Sequence, residues 1–303
     1  MSKLFYNILG NTLAASVANT FVWFAVTFWA YLQTNSVIVT SIMAGVFTVT
    51  VAFSGFFLGS LVDRFPKKTA MMLSSFLSLL FFSVALLIYV ITPAEQFTSQ
   101  SSVMLWAFIV VALAGALVGN LRGIALSTLV TILIPDEERD RANGMVGTAN
   151  GVAFLISSIL SGLAVGFLGM FGVLVSAIVL TLVLIAHLSM FSIPEKTVVH
   201  PEGHTHSIDI AGSIRAIQLV PGLFGLIFFH TFNNFLGGVF MSLMDPYGLL
   251  LVSVQVWGIL WGVLSLGFIV GGLIVFGASG LILGPVIFTV TRLLLEIWSS
   301  QNA

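Results

Sequence analysis

The chain has 303 residues, of which 58% are hydrophobic and only 7% charged, against roughly a quarter charged in an ordinary soluble domain. Ten Lys+Arg face eleven Asp+Glu, so no basic surface is available to neutralise phosphates. A soluble globular enzyme, a nucleic-acid-binding domain and a disordered chain are excluded, and the absence of cysteine excludes disulfides, thiolate metal sites and Cys nucleophiles. What remains is an all-α polytopic membrane protein. Roughly 20 apolar residues cross one bilayer as a helix, so this length allows about eight or nine spans.

In chain order, the apolar runs predict span 1 over residues 8–32 and span 2 over 37–62. Span 3 follows over 69–91, span 4 over 103–134, span 5 over 145–167 and span 6 over 172–191. After a polar stretch, 192–215, come span 7 over 220–243 and span 8 over 251–275. The run 281–298 is apolar but carries Arg292 and Glu296, so it is either a ninth span or an interfacial helix. With one early Lys and no small-residue cleavage site, span 1 is expected to act as its own insertion signal.

Lys and Arg set the orientation. With the N-terminus in the cytoplasm, Lys3, Arg64, Lys67, Lys68, Arg139, Arg141, Lys196 and Arg215 all fall inside. The outside loops, 92–102, 168–172 and 244–250, hold no Lys or Arg. The expected location is the plasma (inner) membrane of a bacterium.

Small residues recur four apart at Gly55/Gly59, Gly115/Gly119, Gly162/Gly166, Gly258/Gly262 and Gly267/Gly271. Such pairs let helix backbones approach closely, as packing seams or as sliding contacts. The polar break divides the chain into a six-span half (1–191), a central cytoplasmic loop (192–219), two spans of a second bundle (220–275) and an atypical tail (276–303). Six spans and then a long loop is the layout of transporters built from two halves.

The most specific segment is Gly59-Ser60-Leu61-Val62-Asp63-Arg64-Phe65-Pro66-Lys67-Lys68. It resembles the loop signature of the major facilitator superfamily, Gly-x-x-x-Asp-Arg-x-Gly-Arg-Lys, in pattern and in its place after two spans. The resemblance implies a gating loop of Gly59, Asp63, Arg64, Lys67 and Lys68. Pro66 stands where the family has Gly, which stiffens the loop. A second stretch, Asn120-Leu121-Arg122 with Ile134-Pro135-Asp136-Glu137-Glu138-Arg139-Asp140-Arg141-Ala142-Asn143-Gly144, resembles the macrolide-efflux branch of that superfamily. Arg122 lies inside span 4, and an intramembrane arginine is a functional candidate by default. Where antiporters of the superfamily carry a Gly-Pro pair, span 5 has Ser157-Ser158, so that proline kink is absent.

Other polar residues inside spans are few. Asn11 and Asn19 lie in span 1, with Trp23 one turn on. His230, Asn233 and Asn234 cluster in span 7, and Asp245 lies at its outer end. These are substrate-cavity candidates, because spans 1 and 7 hold equivalent places in the two halves; interhelical hydrogen bonding is the alternative. His200, His204 and His206 with Glu202 could bind a metal, but a solvated loop is the reading kept, and no metal or cofactor is expected. Gly277-Ala278-Ser279-Gly280 matches a rhomboid-type protease motif, yet no histidine follows His230 to act as base, so enzymatic activity is not expected.

The superfamily resemblance covers roughly residues 1–275. Complete members have twelve spans and a basic loop after span 8. Here Phe276-Gly277 to Gly284-Pro285 follows, weakly resembling the closing segment of the autoinducer-2 exporter permease family. This leads to the expectation of a chain truncated after span 8 and joined near residue 276. The implied function is secondary active transport by alternating access, with efflux of small amphipathic molecules. No Gly-x-x-x-x-Gly-Lys-[Ser/Thr] nucleotide loop is present, so the energy source is expected to be an ion gradient. The competing reading is a non-transporting remnant or an interaction partner in the membrane. Expected partners are lipids, a small-molecule substrate, and a second copy or a separate chain, with no nucleic acid.

Overall fold

The computed structural model describes residues 3–193 and 222–276. The calls on the central histidines, on the tail motifs and on a ninth span lie outside the described residues. Among the described residues there are no strands. In chain order the helices are α1 (Lys3–Thr34), α2 (Val37–Arg64), α3 (Lys67–Ile91), α4 (Ala94–Thr98), α5 (Val103–Val118), α6 (Asn120–Leu133), α7 (Asp136–Ser189), α8 (Leu223–Leu251) and α9 (Val254–Phe276). Five helical segments among the described residues are long and apolar enough to cross a membrane.

α1 is apolar around its whole circumference and is buried along most of its length. That is the pattern of a central helix rather than a lipid-facing one. Its main neighbour is α7, and α3, α5 and α6 complete the first bundle. α2 shows the opposite burial: Phe53 and Phe57 are 64% and 74% exposed, a surface suited to acyl chains. Its start is set by Ser36, whose side chain accepts from the Val39 N–H at 3.3 Å, with Asn35 at positive φ just before.

α7 is 54 residues long and turns a corner at Gly169, where φ is 65° and ψ −178°. That backbone suits only glycine, which is how two spans join with almost no loop. The predicted boundary between spans 5 and 6 therefore holds. The predicted inside loop before span 5 does not, because the helix begins at Asp136 rather than near residue 145. Asp136, Glu137 and Glu138 occupy its first turn, where carboxylates complement the helix dipole.

Three other boundaries differ. Span 4 is divided at Gly119 into α5 and α6, with three-residue hydrogen bonds on either side (Gly119 N–H to Ala116 O, Arg122 N–H to Gly119 O). The outside loop 92–102 contains α4, whose Phe97 packs at 5.2 Å from Trp29 and 5.6 Å from Tyr89. The outside loop 244–250 is helical, with Pro246 inside α8; its neighbour Asp245 is tied to the next helix.

Of the small-residue pairs, Gly162/Gly166 and Gly258/Gly262 face each other and join α7 to α9. A β-carbon on Gly162 would lie 2.5 Å from the Val254 carbonyl oxygen and 2.8 Å from the Gly258 Cα. Gly115 is covered by Phe82 and Gly119 by the Asn19 amide. Gly55 and Gly59, by contrast, have nothing within 4 Å, so neither supports a close helix approach.

Candidate functional site

The first polar centre lies inside the first bundle. Arg122, third residue of α6, is only 2% exposed. Its Nη1 donates to Ser75 Oγ on α3 and its Nη2 to Asn11 Oδ1 on α1. Ser75 can accept because its own hydroxyl donates to Met71 O at 3.1 Å. Asn11 passes the network to α7: its Nδ2 donates to Leu184 O at 3.1 Å and faces His187 Nδ1 at 2.9 Å. An amide nitrogen only donates, so His187 Nδ1 accepts and carries its proton on Nε2. Four helices are thus tied through one guanidinium. Arg122 Nε is buried with no hydrogen-bond partner, and the residue lines a small cavity with Asn19, Ser74, Ser75, Ser78 and Thr181.

A second centre lies where α8 meets α9. Asp245 is 3% exposed, and its Oδ1 accepts from Trp257 Nε1 at 2.9 Å and Trp261 Nε1 at 2.7 Å. The tryptophans are four residues apart, on one face of α9, which is why both indoles reach the same oxygen. The Trp261 ring also contacts first-bundle aromatics, Phe24 of α1 at 5.8 Å and Phe154 of α7 at 6.0 Å. The acid therefore sits behind an aromatic wall shared by early and late helices.

Between α2 and α8 lies a pocket of about 510 Å³. Its walls are apolar (Ala44, Val49, Phe235, Val239) with hydroxyls from Ser41, Thr48 and Ser242.

The structure brings together Asn11, Asn19 and Arg122 of the predicted residues. Asn11 is used inside the first bundle rather than on a cavity between halves. Trp23 is half-buried against Phe24 and Phe47, with a buried Nε1 that has no partner. Asp245 stands apart from this group. His230, Asn233 and Asn234 lie on α8, but their side chains are outside the described ones, as are those of Asp63 and Arg64 on α2. Lys67 Nζ donates to Val62 O at 2.5 Å and Lys68 Nζ to Phe191 O at 2.6 Å. Both lysines hold carbonyls at helix C-termini, where cations are favoured.

Sequence reasoning missed Ser75, His187, Trp257 and Trp261. A signal existed for two sets: Ser74, Ser75 and Ser78 share one side of an apolar helix, and Trp257 and Trp261 are one turn apart. His187, one histidine in a long apolar run, gave none.

No curated protein and no solved structure matches the chain. The model of the Major Facilitator Superfamily family matches residues 8–299, so the match runs through the tail as well. With all but a few residues matched and an all-helical membrane architecture, the chain is an integral membrane protein that belongs to the major facilitator superfamily, a family of transporters.

Proposed function

We propose that the chain is a secondary active exporter of small amphipathic molecules, working by alternating access in a plasma membrane with its N-terminus in the cytoplasm. The observation that carries this reading is the α2/α8 pocket. Its volume of about 510 Å³ falls within the roughly 300–1,000 Å³ of small-molecule sites, and apolar walls with a few hydroxyls suit an amphipathic guest. It lies between the first six-span half and the helices that follow the central segment, where a two-half transporter places its substrate. Asp245, buried where α8 meets α9 and bonded to Trp261, whose ring packs on Phe24 and Phe154 of the first half, is the group through which charge would enter the cycle. Gly59, Asp63, Arg64, Lys67 and Lys68 would act at the cytoplasmic gate, with His230, Asn233 and Asn234 as further cavity contacts.

The test is transport of a fluorescent amphipathic dye by the full chain in proteoliposomes carrying an imposed proton or sodium gradient. Ser242→Phe and Gly45→Phe fill the pocket and are expected to lower transport at least tenfold, whereas Gly10→Ala, with nothing within 4 Å, should not. Gradient-independent dye movement, or pocket-filled variants as fast as the native chain, would overturn the reading.

A further inference from the structure

The Asn11 amide is fixed in one orientation at both of its polar atoms. Its Oδ1 accepts from Arg122 Nη2, and a guanidinium only donates. Its Nδ2 donates to Leu184 O at 3.1 Å, and a carbonyl only accepts. Turning the amide over would set donor against donor on one side and oxygen against oxygen on the other. The same Nδ2 faces His187 Nδ1 at 2.9 Å, so that ring nitrogen has to offer a lone pair. An imidazole has one only while neutral, because an imidazolium carries N–H on both nitrogens.

His187 is placed where it can change charge. It is an exposed residue in the last turn of α7, and histidine is the side chain that takes up its proton between about pH 8 and pH 5. Arg122 of α6 reaches it through Asn11, and Lys68 of α3 donates to Ser189 O at 3.4 Å and Phe191 O at 2.6 Å, just beyond it. Of the other elements packed on α7, α1 carries Lys3 and Tyr6, with Tyr31 at its far end. α3 also carries Lys67, with Tyr89 at its far end, and α9 carries no titratable residue. α2, whose Val62 shares a core cluster with Leu188, ends on Asp63 and Arg64. The opening turns of α7 itself hold Asp136, Glu137, Glu138, Arg139, Asp140 and Arg141. Acids and bases both gather at this end of the bundle. The direction of the Asn11 bond, rather than local net charge, therefore sets the form of the ring that fits.

We infer that His187 is a proton-operated switch at the end of the first bundle that carries Lys3, Lys67 and Lys68. Neutral, it accepts from Asn11 and completes a tie from Arg122 through Asn11 to the last turn of α7. Protonated, it sets an N–H against the Asn11 N–H, and the bond becomes a repulsion between donors. Asn11 cannot turn away without giving up Arg122 and Leu184 O. The ring is the part that moves: it is exposed, it packs edge-on against Phe191 at 5.1 Å, and the helix C-terminal dipole favours a cation turned outward there. Acid therefore loosens the last turn of α7 from α1, while Arg122 keeps its bonds to Ser75 and Asn11. The switch is independent of the proposed transport and can be tested without a substrate.

The experiment follows thermal unfolding of the purified full chain in detergent between about pH 8 and pH 5, for the native chain, His187→Gln and His187→Phe. A folded state that bonds only the neutral ring is most stable at the alkaline end and loses that contribution as pH falls. Groups that titrate elsewhere do so in all three chains and drop out of the differences. Glutamine offers an acceptor oxygen that does not titrate in this range. His187→Gln should match the native Tm at the alkaline end and exceed it by several degrees at the acid end. Phenylalanine offers no acceptor, so His187→Phe should start several degrees below native, with the gap closing in acid. Both substitutions fall at an exposed position. A second readout does not depend on stability: nitrogen NMR of the histidine-labelled chain, with the His187 signal assigned by its loss in either variant, should show the Nε2–H tautomer at the alkaline end. A native chain whose Tm follows pH in parallel with His187→Gln would overturn the assignment, and so would an Nδ1–H tautomer.

Discussion

Gly162 and Gly258 bring the backbones of α7 and α9 into direct contact, with a β-carbon on either one falling 2.8 Å from the other's Cα. Their neighbours extend the seam, Gly166 under the Gln255 side chain and Gly262 under Ile159. No large hydrophobic driving force acts between helices in lipid, so such close backbone packing is a main source of association.

Gly162→Val therefore has to push α9 away from α7. The expected cost is about 1–3 kcal/mol, as for other overpacked sites, read as a lower Tm in detergent. Gly59→Val, with nothing within 4 Å, should leave Tm unchanged. The chain has no native cysteine, so Gly166→Cys/Gln255→Cys can be oxidised cleanly. It should form a disulfide in the native background and lose it when Gly162→Val is added.

The spans were legible because a bilayer imposes one strong rule, a long apolar run for each crossing. The glycine spacing also announced the α7/α9 seam, though spacing alone could not say which pairs would meet: Gly162/Gly166 found a partner and Gly55/Gly59 found open space. Arg122 stood out because a charge in an apolar run is costly. Its partners did not, because Ser75 and His187 are separated from it by many residues and only the bundle brings them near. The helical starts at Asp136 and through Pro246 were hidden for a different reason. Charge and proline read locally as loop signals, but a helix dipole favours the acids, and the tryptophan clamp holds Asp245 in place.

The network around Arg122 predicts that Asn11 matters more than a lone buried amide would. Asn11→Ala removes the acceptor for Arg122 Nη2 and the donor for Leu184 O and His187 Nδ1 together. A hydrogen bond to a charged group contributes about 1.5–3 kcal/mol, and Tm should fall by several degrees. Arg122→Lys should not rescue stability, because one ammonium on a flexible stem cannot reproduce the planar fork that reaches Ser75 and Asn11 at once.

Orientation is testable by the same freedom from cysteine. Ser99→Cys lies in the exposed segment after α4, and Asp140→Cys lies in the exposed first turns of α7. In intact cells an impermeant maleimide should label the first and spare the second. In inverted vesicles the pattern should reverse. Labelling of Asp140→Cys in intact cells would place the basic segments outside, against the charge rule.

Asp245 separates structure from chemistry in a single position. Asp245→Ala leaves the indoles of Trp257 and Trp261 without an acceptor, and each buried unsatisfied donor costs about 1–3 kcal/mol. That variant should unfold at clearly lower temperature, with altered tryptophan emission as the first sign. Asp245→Asn keeps an oxygen where Oδ1 accepts both N–H groups at 2.9 and 2.7 Å, so its Tm should stay close to native. What it loses is the negative charge behind the wall of Phe24 and Phe154. If that charge serves gradient coupling, Asp245→Asn should fold normally yet show transport that no longer responds to the imposed gradient. A native rate and a native gradient response in Asp245→Asn would assign the carboxylate to helix clamping alone, because the clamp needs only an acceptor oxygen and not a charge.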